Sequence, residues 1–179
     1  IIKEECYLGL PARSSSGMDK ANNESDIWWE VQINRPGRRA IMNNISGALG
    51  VVQMNRLNDF ILRRKQIYDM YNKYLADIDW LTLPPELPKD SINSYYFYWI
   101  QLENRNELAK FLKDNGVYST YRYWPISDVK FFLKDNNIYL PNTEHAASKT
   151  LNIPLHTSLS DDDVRKVVKL IIEFGLSLK

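Results

Sequence analysis

A chain of 179 residues with 44% hydrophobic content is long enough to bury a core, enough for one domain or for one domain and a piece of another. Its 23 Lys and Arg nearly cancel 22 Asp and Glu to a formal charge of +1, which excludes the broad basic field that a nucleic acid backbone or an anionic membrane requires. The single cysteine, Cys6, excludes an internal disulfide and has no Cys or His neighbour at metal-ligand spacing, a usage that suits the reducing cytoplasm.

The sequence opens at Ile1 without Met and reads as a chain entered in mid-domain. Ser14 to Gly17 and Asp19 to Asp26 are rich in Ser, Asn and acidic residues without apolar periodicity, which predicts a surface loop, with order resuming at Trp28 and Trp29. After Pro36 and Gly37, apolar residues from Ile45 through Leu49, Val52, Leu57, Phe60, Ile67, Tyr71 and Leu75 recur near helical spacing and predict one long helix over about 43–75. Asn43 or Asn44 is its expected N-cap, and Gly47, Ala48 and Gly50 suit close approach of another backbone. Pro84, Pro85 and Pro88 end that element and place a domain boundary near residue 85.

Beyond the prolines, a strand is expected at Tyr95 to Leu102, a helix at Asn106 to Asn115, a turn at Gly116 and a second strand at Val117 to Tyr123, a βαβ-like beginning. The tyrosines Tyr95, Tyr96 and Tyr98 are read as structural, because strand alternation puts some of them inside. Helices at Ser127 to Lys134 and Thr143 to Thr150, a short strand at Leu151 to Pro154 and a final amphipathic helix from Ser160 to Phe174 follow. Ser160 with Asp161, Asp162 and Asp163 supplies a cap and acidic first-turn residues that suit the helix dipole. No run approaches the roughly 20 apolar residues of a membrane span.

Candidate chemistry is sparse. There is no phosphate-binding Gly-rich loop, no metal-ligand cluster, and neither His145 nor His156 is paired with a nucleophile, so no residue is assigned as catalytic or metal-binding. Arg35, Arg38 and Arg39 precede the predicted start of the long helix, where free N–H groups, the dipole and guanidinium forks suit a phosphate; the alternative is a solvated basic turn pairing with Glu30 or Asp26. Tyr121, Arg122, Tyr123, Trp124 and Pro125 form an aromatic and cationic run suited to a sugar or base beside an anion, or to ordinary packing.

Met42-Asn43-Asn44-Ile45, Gly47-Ala48-Leu49-Gly50, Gln53, Arg56-Leu57 and Arg63-Arg64 resemble the helix "M-N-x-I-x-x-A-x-G-x-x-Q-x-x-R-L" of the DegT/DnrJ/StrS family of sugar aminotransferases. The resemblance continues through Ser94-Tyr95-Tyr96, Tyr123-Trp124-Pro125, Leu140-Pro141-Asn142-Thr143-Glu144 and Ile153-Pro154-Leu155-His156 before Leu159-Ser160-Asp161. It implies an α/β fold, the C-terminal portion of an aspartate-aminotransferase-like architecture: a long interdomain helix and a small α/β domain. Residues 1–84 would then end the large cofactor-binding domain, and 85–179 would form the small one.

The family relation further implies pyridoxal 5'-phosphate as cofactor, glutamate as amino donor, a nucleotide-linked keto sugar as substrate, and a homodimer through the long-helix region. Arg38, Arg39 and Asn43 stand where relatives reach the neighbouring subunit's cofactor phosphate, although Gly37-Arg38-Arg39-Ala40-Ile41-Met42 departs from the family's "G-Y-x-Y-R-M". Arg122, Tyr123 and Trp124 would face the sugar nucleotide, with Arg122 replacing a common histidine. The family's cofactor lysine precedes a "T-G-E-G-G" stretch that does not occur in this sequence, so the chain alone is expected to be inactive. A dehydratase of the same family, or a non-catalytic remnant serving as a dimerisation module, are the competing readings.

Overall fold

The computed structural model describes residues 6, 36–129 and 140–178. By its contacts the chain divides into two compact units, Ile1–Asn55 and Arg56–Lys179. The loop expected at 14–26 and residues 130–134 of the expected helix at 127–134 lie outside the described residues, as do Trp28, Trp29 and Arg35.

In the first unit, helix α1 spans Asn44–Asn55. Asn43, not Asn44, is the cap: its Oδ1 accepts the Ser46 N–H at 2.8 Å, satisfying one of the donors that a helix start leaves unpaired. The tight packing expected beside the small residues does not come from the described part of this chain. A Cβ added at Gly50 would meet nothing within 4 Å, and one at Gly47 only the Met42 terminal methyl at 4.0 Å. Ile45, Leu49, Val51, Val52 and Met54 are all exposed.

The single long helix expected over 43–75 is two helices. Arg56 is a turn residue with φ −97° and ψ −2°, and α2 begins beyond it at Leu57–Leu75. The interruption falls at Asn55 and Arg56, polar residues where the apolar series Leu49, Val52 would continue before Phe60. From there α2 turns Ile67, Tyr68, Tyr71 and Leu75 into the core of the second unit. The C-terminal half of the expected helix therefore packs with the segment beyond the prolines.

The second unit is a small antiparallel sheet covered by helices. Strand β1, Tyr98–Gln101, pairs with β2, Thr150–Ile153, in the register Tyr98 to Ile153 and Gln101 to Thr150. Single antiparallel bridges extend it on either side, Thr82 to Gln101 and Thr120 to Asn152. The strand expected at Val117 to Tyr123 is reduced to that one bridge. Helix α3, Arg105–Asp114, carries the chain from β1 to the Thr120 segment, with Gly116 at φ +76° making the left-handed turn that its lack of a Cβ permits. Because β1 and Thr120 each run antiparallel to β2, they are parallel to one another with β2 inserted between them. The expected βαβ beginning is thus a split one.

Helix α4, Pro141–Lys149, leads into β2 and packs on β1. Helix α5, Asp161–Ser177, packs on α2 and α3 and buries Val164, Val167, Val168, Ile171 and Phe174. Its start is a full capping box: Ser160 Oγ accepts the Asp163 N–H at 3.1 Å, and Asp163 Oδ2 accepts the Ser160 N–H at 2.9 Å. Arg63 ties α2 to this corner by donating to the Leu159 carbonyl at 2.5 Å and pairing with Asp161 at 2.9 Å.

The C-terminal turn of α5 contains a site of close approach. Gly175 is buried against Trp80, and a Cβ there would stand 2.6 Å from the indole Cε2 and Nε1. The bulky ring has no flexible end to move away. Gly175→Ala is therefore expected to lower stability by about 1 to 2 kcal/mol, the overpacking cost exceeding the gain in helix propensity. A urea midpoint equal to or above the parent's would refute this.

Candidate functional site

Of the residues singled out for binding, the structure brings Arg122, Tyr123 and Trp124 together on one loop of the second unit. The loop is fixed from beneath. Asn152 in β2, 3% exposed, uses its backbone to bridge Thr120 and its Oδ1 to accept the Arg122 N–H at 2.8 Å. Tyr121 is held on one side by the Arg105 guanidinium, 5.5 Å from its ring centre, and meets Trp124 edge-on at 6.2 Å. Pro125 is buried at the loop's end, and a 3-10 turn at Ile126–Asp128 follows. Tyr123 and Trp124 are left 68% and 59% exposed. Large aromatics on a loop anchored this firmly are presented outward at little further ordering cost.

The Arg122 side chain turns to Tyr96, with Nη1 donating to the phenol oxygen at 3.3 Å. Tyr96 was expected to be a structural strand residue, and it is not. The chain enters β1 only at Tyr98, after Tyr95 takes a left-handed φ of +50° with its N–H bound to Asn93 Oδ1 at 2.8 Å. That kink breaks the alternation. Tyr98 goes fully inside, Tyr95 packs edge-on against Tyr68, and Tyr96 stands at the surface. The Tyr96 phenol is held below its ordinary value, first by the Tyr123 hydroxyl beside it and then by the fields of Arg122 and Arg64.

Beside Arg122 and Tyr96 lies a cavity of about 490 Å³, lined also by Arg64, His156, Asp163 and Lys166 over an apolar wall that includes Val117 and Ile153. His156 is thus a cavity residue, whereas His145 lies exposed on α4. The sequence assigns no binding role to Arg64 or Tyr96. The only signal for Arg64 was its position in the Arg63-Arg64 pair.

Arg38 and Arg39 lie in the first unit, both exposed, ahead of Asn43 and the start of α1. Among the described residues neither guanidinium has a carboxylate partner. Guanidiniums before a helix start suit a phosphate, and Asn43 uses its Oδ1 for the cap; Glu30 and Asp26, the alternative partners of this basic turn, lie outside the described residues. No group of three metal-ligating side chains occurs among the described residues, and no described helix is long and apolar enough to cross a membrane.

The split sheet, the helices around it and the preceding helix belong to a known architecture. They form the C-terminal portion of the fold of pyridoxal-phosphate-dependent aminotransferases. The aminotransferase TlmJ from Streptoalloteichus hindustanus superimposes with a TM-score of 0.84 at 35% identity over 99% of this chain and 44% of its own. The model of the DegT/DnrJ/EryC1/StrS aminotransferase family matches residues 6–172, and the chain belongs to that family. It is 41% identical, over 90% of its length, to the dTDP-4-dehydro-2,3,6-trideoxy-D-glucose 4-aminotransferase of Saccharopolyspora spinosa. It is 28% identical, over 94% of its length, to the spore coat polysaccharide biosynthesis protein SpsC of Bacillus subtilis (strain 168). The chain spans 41% and 46% of those two relatives.

Proposed function

We propose that this chain is the C-terminal part of an aminotransferase that delivers an amino group, from glutamate, to a nucleotide-linked keto sugar. Family membership supports the reaction class, and the observation that carries the substrate side is the presented loop of Arg122, Tyr123 and Trp124. Its aromatic rings suit a sugar or base, and its guanidinium suits an anionic group of the same molecule.

Pyridoxal 5'-phosphate, when bound, supplies the electron sink for the transfer. Arg38, Arg39 and the Asn43 amide would hold its phosphate, reaching across to a neighbouring subunit. A homodimer through the α1 region fits the exposed Ile45, Leu49 and Val52 and the open space beside Gly50, which leaves a second backbone room to approach. In the complete enzyme, residues 1–84 would close the large domain and 85–179 form the small one, with α2 as the join seated on the small one's core and the lone Cys6 suiting the cytoplasm.

The test uses the complete protein encoded with this segment. Incubated with pyridoxal phosphate, glutamate and a dTDP-linked 4-keto sugar, it is expected to release 2-oxoglutarate in step with an amino sugar, while the 179-residue chain alone releases none. Loss of a sugar hydroxyl without amino transfer would replace this reading with the dehydratase. Failure of the complete protein to retain the cofactor or turn over any keto sugar would replace it with the non-catalytic module.

A further inference from the structure

Among the described residues, the cavity beside Tyr96 is lined by more cations than carboxylates. Arg64 projects from α2, Arg122 from the anchored loop, and Lys166 from α5, with His156 beyond the end of β2. Asp163 is the one carboxylate among the described lining residues, and it faces the Lys166 and His156 side of the cavity, whose fields reach it, while Ser160 holds it in place. Its Oδ2 accepts both the Ser160 N–H at 2.9 Å and the Ser160 hydroxyl at 2.7 Å. The Nε of Arg64 is buried without a hydrogen-bond partner, and among the described residues neither Arg64 nor Arg122 is paired with a carboxylate. Guanidiniums are never neutral at ordinary pH, so an anion placed here would meet two cations and could give the buried Arg64 Nε the partner it lacks.

Tyr96 shows where that anion would sit. Its oxygen accepts from Arg122 Nη1, and the fields of Arg122 and Arg64 both reach it. The apolar residues Val117 and Ile153 line the same cavity.

We propose that Arg64, Tyr96 and Arg122 form an oxyanion subsite, taking a carboxylate or phosphate group of a substrate at the mouth of this cavity. The proposal rests on the substrate-facing role of Arg122 given above, and it adds Arg64 and Tyr96 as binding residues. Both sources of such a group are present in the reaction: the side-chain carboxylate of the amino donor and the diphosphate of the sugar nucleotide.

Two ligands separate the sources. The complete protein is titrated by calorimetry with glutarate in one arm and with inorganic pyrophosphate in the other, at fixed ionic strength. Saturable binding of at least one is expected, weakened about tenfold or more in Arg64→Gln and in Arg122→Gln and severalfold in Tyr96→Phe, on the scale of a charge-assisted bond. Glutarate as the tighter ligand assigns the subsite to the amino donor, and pyrophosphate assigns it to the nucleotide. Arg64 is partly buried, so its variant is compared only if its thermal transition matches the parent's; Arg122 and Tyr96 are exposed and carry the test otherwise. Absence of saturable binding by either anion, or binding unchanged in Arg122→Gln and Tyr96→Phe, overturns the subsite. That failure would leave the amino-transfer reading intact, because the latter is decided by turnover of the complete protein.

Discussion

Replacing Tyr71 with Ala should remove about 3 to 5 kcal/mol of stability, the scale for deleting a buried aromatic ring. Tyr71 is fully buried on α2, its ring centre lies 5.0 Å from that of Tyr98, and its hydroxyl donates to the Pro154 carbonyl at 2.8 Å. It therefore joins the helix that enters the second unit to the strand end that leads into the cavity. Since a domain is typically stable by only about 5 to 15 kcal/mol, such a loss leaves little margin. Urea denaturation of the parent and the variant measures it, and a loss below about 1 kcal/mol would show that the core closes around the gap.

The same residue carries a pH dependence. Burial pushes the Tyr71 and Tyr98 phenols above their ordinary value, Tyr98 being further fixed by donating to Asn72 Oδ1 at 2.7 Å. Above about pH 10 the unfolded chain releases protons that the folded chain keeps. The stability these groups contribute is therefore full below about pH 10 and is lost as pH rises beyond it. In Tyr71→Phe that decline should be shallower, and an identical decline in both proteins would remove Tyr71 from the account.

Arg39→Ala, made in the complete protein, should weaken retention of pyridoxal phosphate by about 1.5 to 3 kcal/mol, roughly one to two powers of ten in affinity. Arg39 is exposed, so the fold should be nearly unaffected, and circular dichroism provides that control. By contrast, Arg122→Ala should leave the cofactor in place and raise the KM for the sugar nucleotide, because its guanidinium lies on the loop with Tyr123 and Trp124. Cofactor dissociation and KM, measured on both variants, separate the two roles. Equal cofactor affinity in Arg39→Ala and the parent would leave Arg38 and Arg39 as a solvated basic turn.

Much of the fold was legible because local chemistry dictated it. The Ser160 cap with three acidic residues and the Gly116 turn are short-range arrangements that appear where the sequence places them, and the helix cap is Asn43, one of the two asparagines that the sequence offers. The helix break at Arg56 was less visible, since the apolar spacing runs on in phase from Leu49 to Phe60 and Ile67 across it. The sheet was harder still. Two of its partners are single bridges at Thr82 and Thr120, too brief to leave an alternating pattern. At the candidate site, Arg122, Tyr123 and Trp124 stood out as a consecutive run, whereas Arg64, Tyr96 and Lys166 converge from three separate elements. No spacing in the sequence encodes that convergence, and the kink at Tyr95 removes the one periodicity that would have oriented Tyr96.

The split sheet also governs how the second unit can be assembled as it is made. Synthesis delivers β1, α3 and the Thr120 segment well before β2, and Gln101 meets Thr150 across a separation of 49 residues. Until β2 emerges, β1 and the Thr120 segment face an empty lane with unpaired backbone groups on both margins. A nascent chain halted at that stage holds exposed edges of the kind that recruit other chains. Insertion of β2, followed by α5, closes both edges in one event, so the unit gains its sheet and much of its core together.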